Sequence, residues 1–215
     1  MPPLLLLTRP DPLSRRFAGQ IADLGLEVLI SPIMRIVPVA HDAAVIAGAK
    51  GLVLTSVNAV PAVGQGHGRP AICVGPATAE AARKAGFDVT VGPGDADRMM
   101  PLLQDLGPGW VHPHGRHIAR QLPVTGITVY DQVAQDLDDA AMAALAGDRC
   151  VLLPLFSPRS AQILAAQAKG ARAPLWLAAI SQAALDRWSG PFARRAVAPT
   201  PDAPGIIAAL HQLLG

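Results

Sequence analysis

Residues 4–30 read LLLLTRPDPLSRRFAGQIADLGLEVLI, and this stretch decides the fold class. Leu4 to Leu7 is a continuous apolar run of strand length, the pattern of a strand buried on both faces. Asp11-Pro12 supplies an N-cap and a first-turn proline. Leu13, Phe17, Ile21 and Leu24 then recur at helical spacing until Gly25 stops the helix. Glu27 to Ile30 is a second strand. Strand, helix, strand with short loops is the unit of a parallel α/β sheet.

The same grammar repeats along the chain. Leu52 to Leu54 leads into Thr55-Ser56 and a short helix. Ala71 to Val74 leads into Gly75-Pro76 and a helix ending at Gly86, and Val89 to Val91 leads into Gly92-Pro93-Gly94. Further on, Val151 to Leu155 precedes Ser157-Pro158 and a helix, Leu175 to Ile180 precedes Ser181, and Ala196 to Ala198 precedes Thr200. Val74-Gly75-Pro76-Ala77 lies 106 positions before Ile180-Ser181-Gln182-Ala183, and Pro93 lies 106 before Pro199. Ser56 and Ser157 are 101 apart, a five-residue difference of the kind loops absorb. An internal repeat of two similar α/β domains follows.

Ser31 to Val39 and Ile127 to Ala134 are extended, and we read them as crossover strands. Paired, they make a two-strand hinge, with one domain formed by 1–35 and 135–215 and the other, 36–134, inserted into it. A single ten-stranded sheet is the alternative.

Composition excludes several classes. The chain has 215 residues, 51% of them hydrophobic and 4% aromatic, enough to bury one large core or two small ones. The Leu4 to Leu7 run is too short for a signal peptide and lacks a preceding basic region, and Gly, Pro or a charge interrupts every later run, so a soluble cytoplasmic protein with no membrane association is expected. Cys73 and Cys150 stand far apart in apolar runs without CxxC spacing, which reads as buried thiols rather than a disulfide or zinc site. A net charge of +2 with dispersed arginines does not make a nucleic-acid stripe. GxSxG, Walker and GxGxxG signatures are absent from their required places, and Gly64-Gln65-Gly66-His67-Gly68 follows a helix, so it reads as a flexible loop.

In open parallel sheets ligands bind at the carboxyl ends of strands, where helix N-termini offer N–H groups to anions. Those ends here carry Thr8-Arg9, Thr55-Ser56, Gly75-Pro76-Ala77-Thr78, Pro113-His114-Gly115-Arg116, Ser157 and Ser181, an inventory suited to a carboxylate or phosphate ligand. Taken singly, each Ser or Thr reads as the cap of its own helix. Arg9 stands at the end of the first strand, where a guanidinium can clamp a carboxylate, or else it is a surface arginine. His112, His114 and His117 form HxHxxH at a strand-to-helix turn. They read either as a zinc set or, more plainly, as exposed histidines at a helix start, with His112 and His114 on one strand face. Tyr130, the single tyrosine, is either a packed aromatic or a hinge acid whose hydroxyl assists a leaving hydroxide.

The motifs LLLTRP, LTSVNAV, CVGPATAEAARKAGFDV, PHGRHIARQL, ITVYDQVA and FSPRSA resemble the uroporphyrinogen-III synthase family, in the family's order and along nearly the whole chain. The resemblance implies two flavodoxin-like domains joined by a two-stranded ladder, with the active site in the cleft between them. It implies that hydroxymethylbilane loses its hydroxyl and closes through a spiro intermediate with ring D inverted, and that no cofactor or metal takes part. Thr55, Ser56 and Asn58 match the family's TSxNAV turn, Thr78 its GxxTA turn and Tyr130 its hinge tyrosine. Backbone N–H groups around Ser56, Gly75 and Ser157 would hold acetates and propionates. Two departures stand out: Ser181-Gln182-Ala183-Ala184 replaces a Gly-x-Thr-Thr turn, and PHGRH replaces an arginine-glycine arrangement; Ser181 still brings a hydroxyl and Arg116 one cation, and His114 and Gly115 beside it are further substrate-binding candidates. A monomer with transient contact to the preceding pathway enzyme is expected. The rival readings are a two-domain anion-binding protein without catalysis and a metal-dependent hydrolase using His112, His114 and His117.

Overall fold

The structure is a computed structural model describing residues 1–118 and 120–215. The chain forms two compact units, unit 1 from 1–35 and 134–215, and unit 2 from 36–133.

Unit 1 is built on β1 (Leu4–Leu7), β2 (Glu27–Ile30), β9 (Val151–Leu155), β10 (Leu175–Ala179) and β11 (Arg194–Val197). They lie in the order β11-β10-β9-β1-β2, and the β1–β2, β1–β9, β9–β10 and β10–β11 ladders are parallel. The opening leucines show why an unbroken apolar run works here. Leu5 and Leu7 face Phe17 of α1 (Asp11–Gln20) and Ile206, Leu210 and Leu213 of α9 (Ala203–Leu214). Leu6 faces the opposite side with Leu153, Leu177 and the helices α6 (Asp139–Ala146), α7 (Pro158–Gln167) and α8 (Gln182–Leu185). Strand alternation thus feeds two cores from one run, and burying each such side chain contributes about 1.5–3 kcal/mol.

Unit 2 carries β3 (Met34–Pro38), β4 (Gly51–Leu54), β5 (Pro70–Cys73), β6 (Asp88–Val91), β7 (Trp110–Gly115) and β8 (Thr125–Ala134) in the order β3-β8-β7-β4-β5-β6. Leu52, Leu54, Ala71 and Cys73 face α2 (Ala43–Ala47), α3 (Val60–Val63) and α4 (Pro76–Lys84), while Val53 and Ile72 face Met99 and Leu103 of α5 (Ala96–Leu103). Strands β3 and β8 carry the chain out of unit 1 and back. Gln135 N–H donates to Ile33 O at 2.9 Å and Val39 N–H to Val129 O at 3.0 Å, so one strand ascends as the other descends, an antiparallel pairing. Two sheets are present, which rules out the single ten-stranded sheet.

Several local expectations are corrected. Asp11 is the first residue of α1 and not its cap; Pro10 holds the cap position, and Asp11 pairs with Arg15 at 2.6 Å, because a proline at residue 10 already fixes the entry backbone. The Leu13–Leu24 helix ends at Gln20 and continues as a 3-10 turn, Ala22–Leu24, before Gly25 closes it at φ 60°. The expected flexible loop at 64–68 is tied to the α4–β6 turn, since Gly66 N–H donates to Ala85 O and Gly68 N–H to Gly86 O. Cys73 is buried, but Cys150 precedes β9 and is half-buried. Among the described residues no helix is long and apolar enough to cross a membrane.

Candidate functional site

Parallel strands deliver their carboxyl ends to one side of a sheet, and in unit 2 those ends surround a cavity of about 360 Å3. Thr55 and Ser56 enter it from the end of β4, Val74 from the end of β5, His112, His114 and Gly115 from β7, and Tyr130 and Gln132 from β8. Gly94 and Asp95, ahead of α5, and His117, Ile118 and Arg120 complete the wall.

The polar side chains are held in definite arrangements. Thr55 Oγ1 lies 2.8 Å from His112 Nε2 across the β4–β7 ladder. His112 is 3% exposed, and burial, followed by the neighbouring His114, lowers its pKa to about 4, so its ring is neutral near pH 7. The two imidazoles stand 4.9 Å apart, tilted by 45°. His114 Nδ1 lies 2.8 Å from Gly115 O; a carbonyl only accepts, so Nδ1 carries the proton and Nε2 is left as an acceptor. Among the described residues no three His, Cys, Asp or Glu side chains are grouped to hold a metal ion. The helix-start reading of the histidines fails, because His112 is a buried strand residue and no helix follows among the described residues 116–124.

Tyr130 owes its orientation to a bulge and a glycine. The β7–β8 register shifts after His114, which pairs with Thr128, while Gly115 pairs with Tyr130. The extra residue re-aims the strand locally. The Tyr130 ring lies over Gly115 so closely that a Cβ there would come within 2.6 Å of its Cζ and 2.9 Å of its hydroxyl oxygen. Tyr130 is 6% exposed and joins the unit 2 core with its ring, as the packed-aromatic reading expects, while the residue also lines the cavity.

The remaining sequence candidates, His117 excepted, do not line the cavity. Gly75 caps α4 and stands beside Gly94 at the cavity wall, Thr78 is buried on the inner face of α4, and Asn58 donates its backbone N–H to Ser56 Oγ at 3.2 Å. Arg116 donates from Nε to Asp131 at 2.8 Å, and His117 lies 3.7 Å from the same carboxylate. In unit 1, Ser157 and Ser181 cap α7 and α8, accepting from Ser160 N–H at 3.1 Å and Ala184 N–H at 3.3 Å. Ser157 also donates to Ser160 Oγ at 2.9 Å, which occupies its only proton. The Arg9 guanidinium lies 4.4 Å from the centre of the Phe156 ring, and burial, with Arg16 nearby, holds its pKa below the ordinary arginine value.

The family model described as Uroporphyrinogen-III synthase HemD matches residues 15–208. The chain belongs to the uroporphyrinogen-III synthase family. Its activity is the family's: it cyclises hydroxymethylbilane with inversion of ring D and loss of water, a lyase reaction of porphyrin and heme biosynthesis. The uroporphyrinogen-III synthetase of Helicobacter pylori shares the fold at a TM-score of 0.65 and 13% identity, over 99% of this chain and 100% of that one. A mutant uroporphyrinogen III synthase of Thermus thermophilus aligns at 0.49 with 15% identity, over 98% of each chain. No curated protein matches.

Within this synthase, sequence reasoning placed Thr55, Ser56, His114 and Gly115 at strand ends and Tyr130 on an extended crossover strand, and the cavity collects these five. It missed His112 as the partner of Thr55, and Gln132 and Asp95 as wall residues. A signal existed for two of them: strand alternation puts His112 on the face of His114, and Gln132 on the face of Tyr130.

Proposed function

We propose that the unit 2 cavity binds a carboxylate-bearing part of hydroxymethylbilane and that Tyr130 is the acid that assists departure of its hydroxyl. One observation carries this reading: Tyr130, Thr55 and Ser56, separated by more than seventy positions, line one cavity of about 360 Å3 at the strand ends. A phenol mounted on a strand, with its ring fixed against Gly115, can hand a hydrogen bond to a leaving hydroxide without reorganising. Thr55 and Ser56 then bind acetate or propionate through their hydroxyls, with His114 shaping the wall beside them and N–H groups near Gly75 and the Asn58 and Thr78 turns in support. Gly115 makes room for the ring, and Arg116, paired with Asp131, adds a cation near the rim.

In unit 1 the same kind of strand end presents Arg9, Ser181 and the backbone N–H groups around Ser157, and we assign them to further substrate carboxylates. The strand order of unit 1, with β1 second and β9 to β11 following, supports a flavodoxin-like assignment for it, and unit 2 follows the same order in permuted form. The chemistry assigned to Tyr130 calls for no cofactor. We place the protein in the cytoplasm as a monomer meeting the preceding enzyme transiently, because its substrate closes unaided once released.

The test is product analysis. Purified protein treated with chelator is given freshly generated hydroxymethylbilane, the products are oxidised, and type I and type III uroporphyrins are separated. Dominant type III is expected; type I alone from folded protein would overturn the reading.

A further inference from the structure

His112 is the buried polar side chain of the cavity that the reaction as described leaves without a task. Its Nε2 lies 2.8 Å from Thr55 Oγ1, although the two residues are 57 positions apart in sequence. They stand on adjacent strands, and the imidazole has the His114 ring beside it at 4.9 Å, itself tied to Gly115 O at 2.8 Å. A hydroxyl has one proton, and a carboxylate only accepts. If Thr55 gives that proton to the histidine, it can offer a carboxylate nothing but lone pairs. If the histidine donates, the proton of Thr55 is freed and directed into the cavity.

We propose that His112 is a positioning residue for substrate binding: its Nε2–H donates to Thr55 Oγ1, so that the Thr55 hydroxyl is turned to donate to a carboxylate of hydroxymethylbilane. The proposal rests on the reading of this cavity as a carboxylate site. The arrangement suits the role, because a neutral ring in a dry environment has one N–H to give and does not shed it to water. It also spares Thr55 the entropy of orienting a freely rotating hydroxyl when substrate arrives. His112 acts through Thr55, so its effect must disappear when Thr55 has no hydroxyl.

That requirement defines the experiment. Steady-state kinetics with hydroxymethylbilane are measured for Thr55→Val, His112→Leu, the double variant, and His112→Gln, whose amide can replace the lost N–H. Thr55→Val is expected to raise KM about tenfold with kcat nearly kept, the size of one lost hydrogen bond to a charged group. His112→Leu should raise KM comparably alone and add nothing to Thr55→Val, and His112→Gln should restore most of the loss. An unchanged KM in Thr55→Val would overturn the carboxylate-site reading itself. A raised KM in Thr55→Val with additive behaviour of His112→Leu, or with no effect of it, would overturn only the role of His112. Nitrogen NMR on the unmutated, substrate-free protein gives a check that does not depend on any variant folding. At pH 7 the His112 ring is expected as the neutral Nε2–H tautomer, and an Nδ1–H tautomer or a charged ring would sink the proposal whatever the kinetics.

Discussion

In unit 2 the first residue after β4 is Thr55, hydrogen-bonded to His112; in unit 1 the first residue after β9 is Phe156, with the Arg9 guanidinium over its ring. These are equivalent places. Gly51 pairs with Trp110 as Leu152 pairs with Leu5, and four residues further on the two ladders reach Thr55 and His114 in one unit, Phe156 and Arg9 in the other. By the same count the position of His112 is filled in unit 1 by Leu7, buried in the core. The backbone plan is shared and the chemistry is not. Unit 2 presents neutral hydrogen-bonding groups steadied by a buried imidazole, whereas unit 1 presents a permanent cation steadied by an aromatic face. The serine after each of these residues caps its own helix in both units, but among the described residues only the unit 1 serine has its proton taken, by Ser160. A strand end therefore supplies polar groups by default, and the neighbouring strand decides what they are free to do.

The comparison can be broken at three points. The largest effect is expected at Tyr130, which has no counterpart acid among the groups of unit 1 described above. Tyr130→Phe should slow type III formation by about a hundredfold or more, at an unchanged melting temperature, as removal of a general acid does. Wild-type turnover from the folded variant would return Tyr130 to a packing role. Next is Arg9→Met, which keeps the apolar stem on Phe156 and removes the charge. Loss of one charge-assisted contact predicts a KM about ten- to a hundredfold higher, with kcat nearly kept; an unaltered KM would mean that unit 1 does not bind carboxylate there.

The smallest effect sharpens the His112–Leu7 contrast. His112 has a folded pKa of about 4 against an ordinary value of 6.5, so the unfolded chain binds its proton more readily. Its contribution is complete above pH 6.5 and is lost as pH falls toward 4, a decline of roughly 2 kcal/mol after allowing for its access to the cavity. Denaturant titrations of the protein and of His112→Leu across that range should differ in slope, with the leucine variant, which copies unit 1, the flatter of the two. Equal slopes would show that the imidazole titrates as it does in the unfolded chain.

The strand-helix-strand opening was legible because each device in it is local: four leucines, a proline near the helix entry, and a glycine at its end. The repeat was legible for the same reason, since Ser56, Gly75, Ser157 and Ser181 each cap an element at a strand end. Asp11 was misread because a cap depends on backbone angles that Pro10 had already taken. The histidines were misread as exposed helix-start residues because their spacing carries no sign of burial, while the Thr55 contact that holds His112 arises between chain positions far apart.

Apolar runs, turn residues and capping serines, read in order, determine by themselves an α/β repeat, two extended crossovers and a set of polar strand ends, because those features act over a few residues. Tertiary structure alone decided which ends meet in one cavity, that a bulge after His114 turns Tyr130 onto Gly115, and that a buried imidazole rather than a leucine stands beside the strand-end residue of unit 2. Those outcomes depend on strand register and on desolvation, and both come into being only when distant segments are brought side by side.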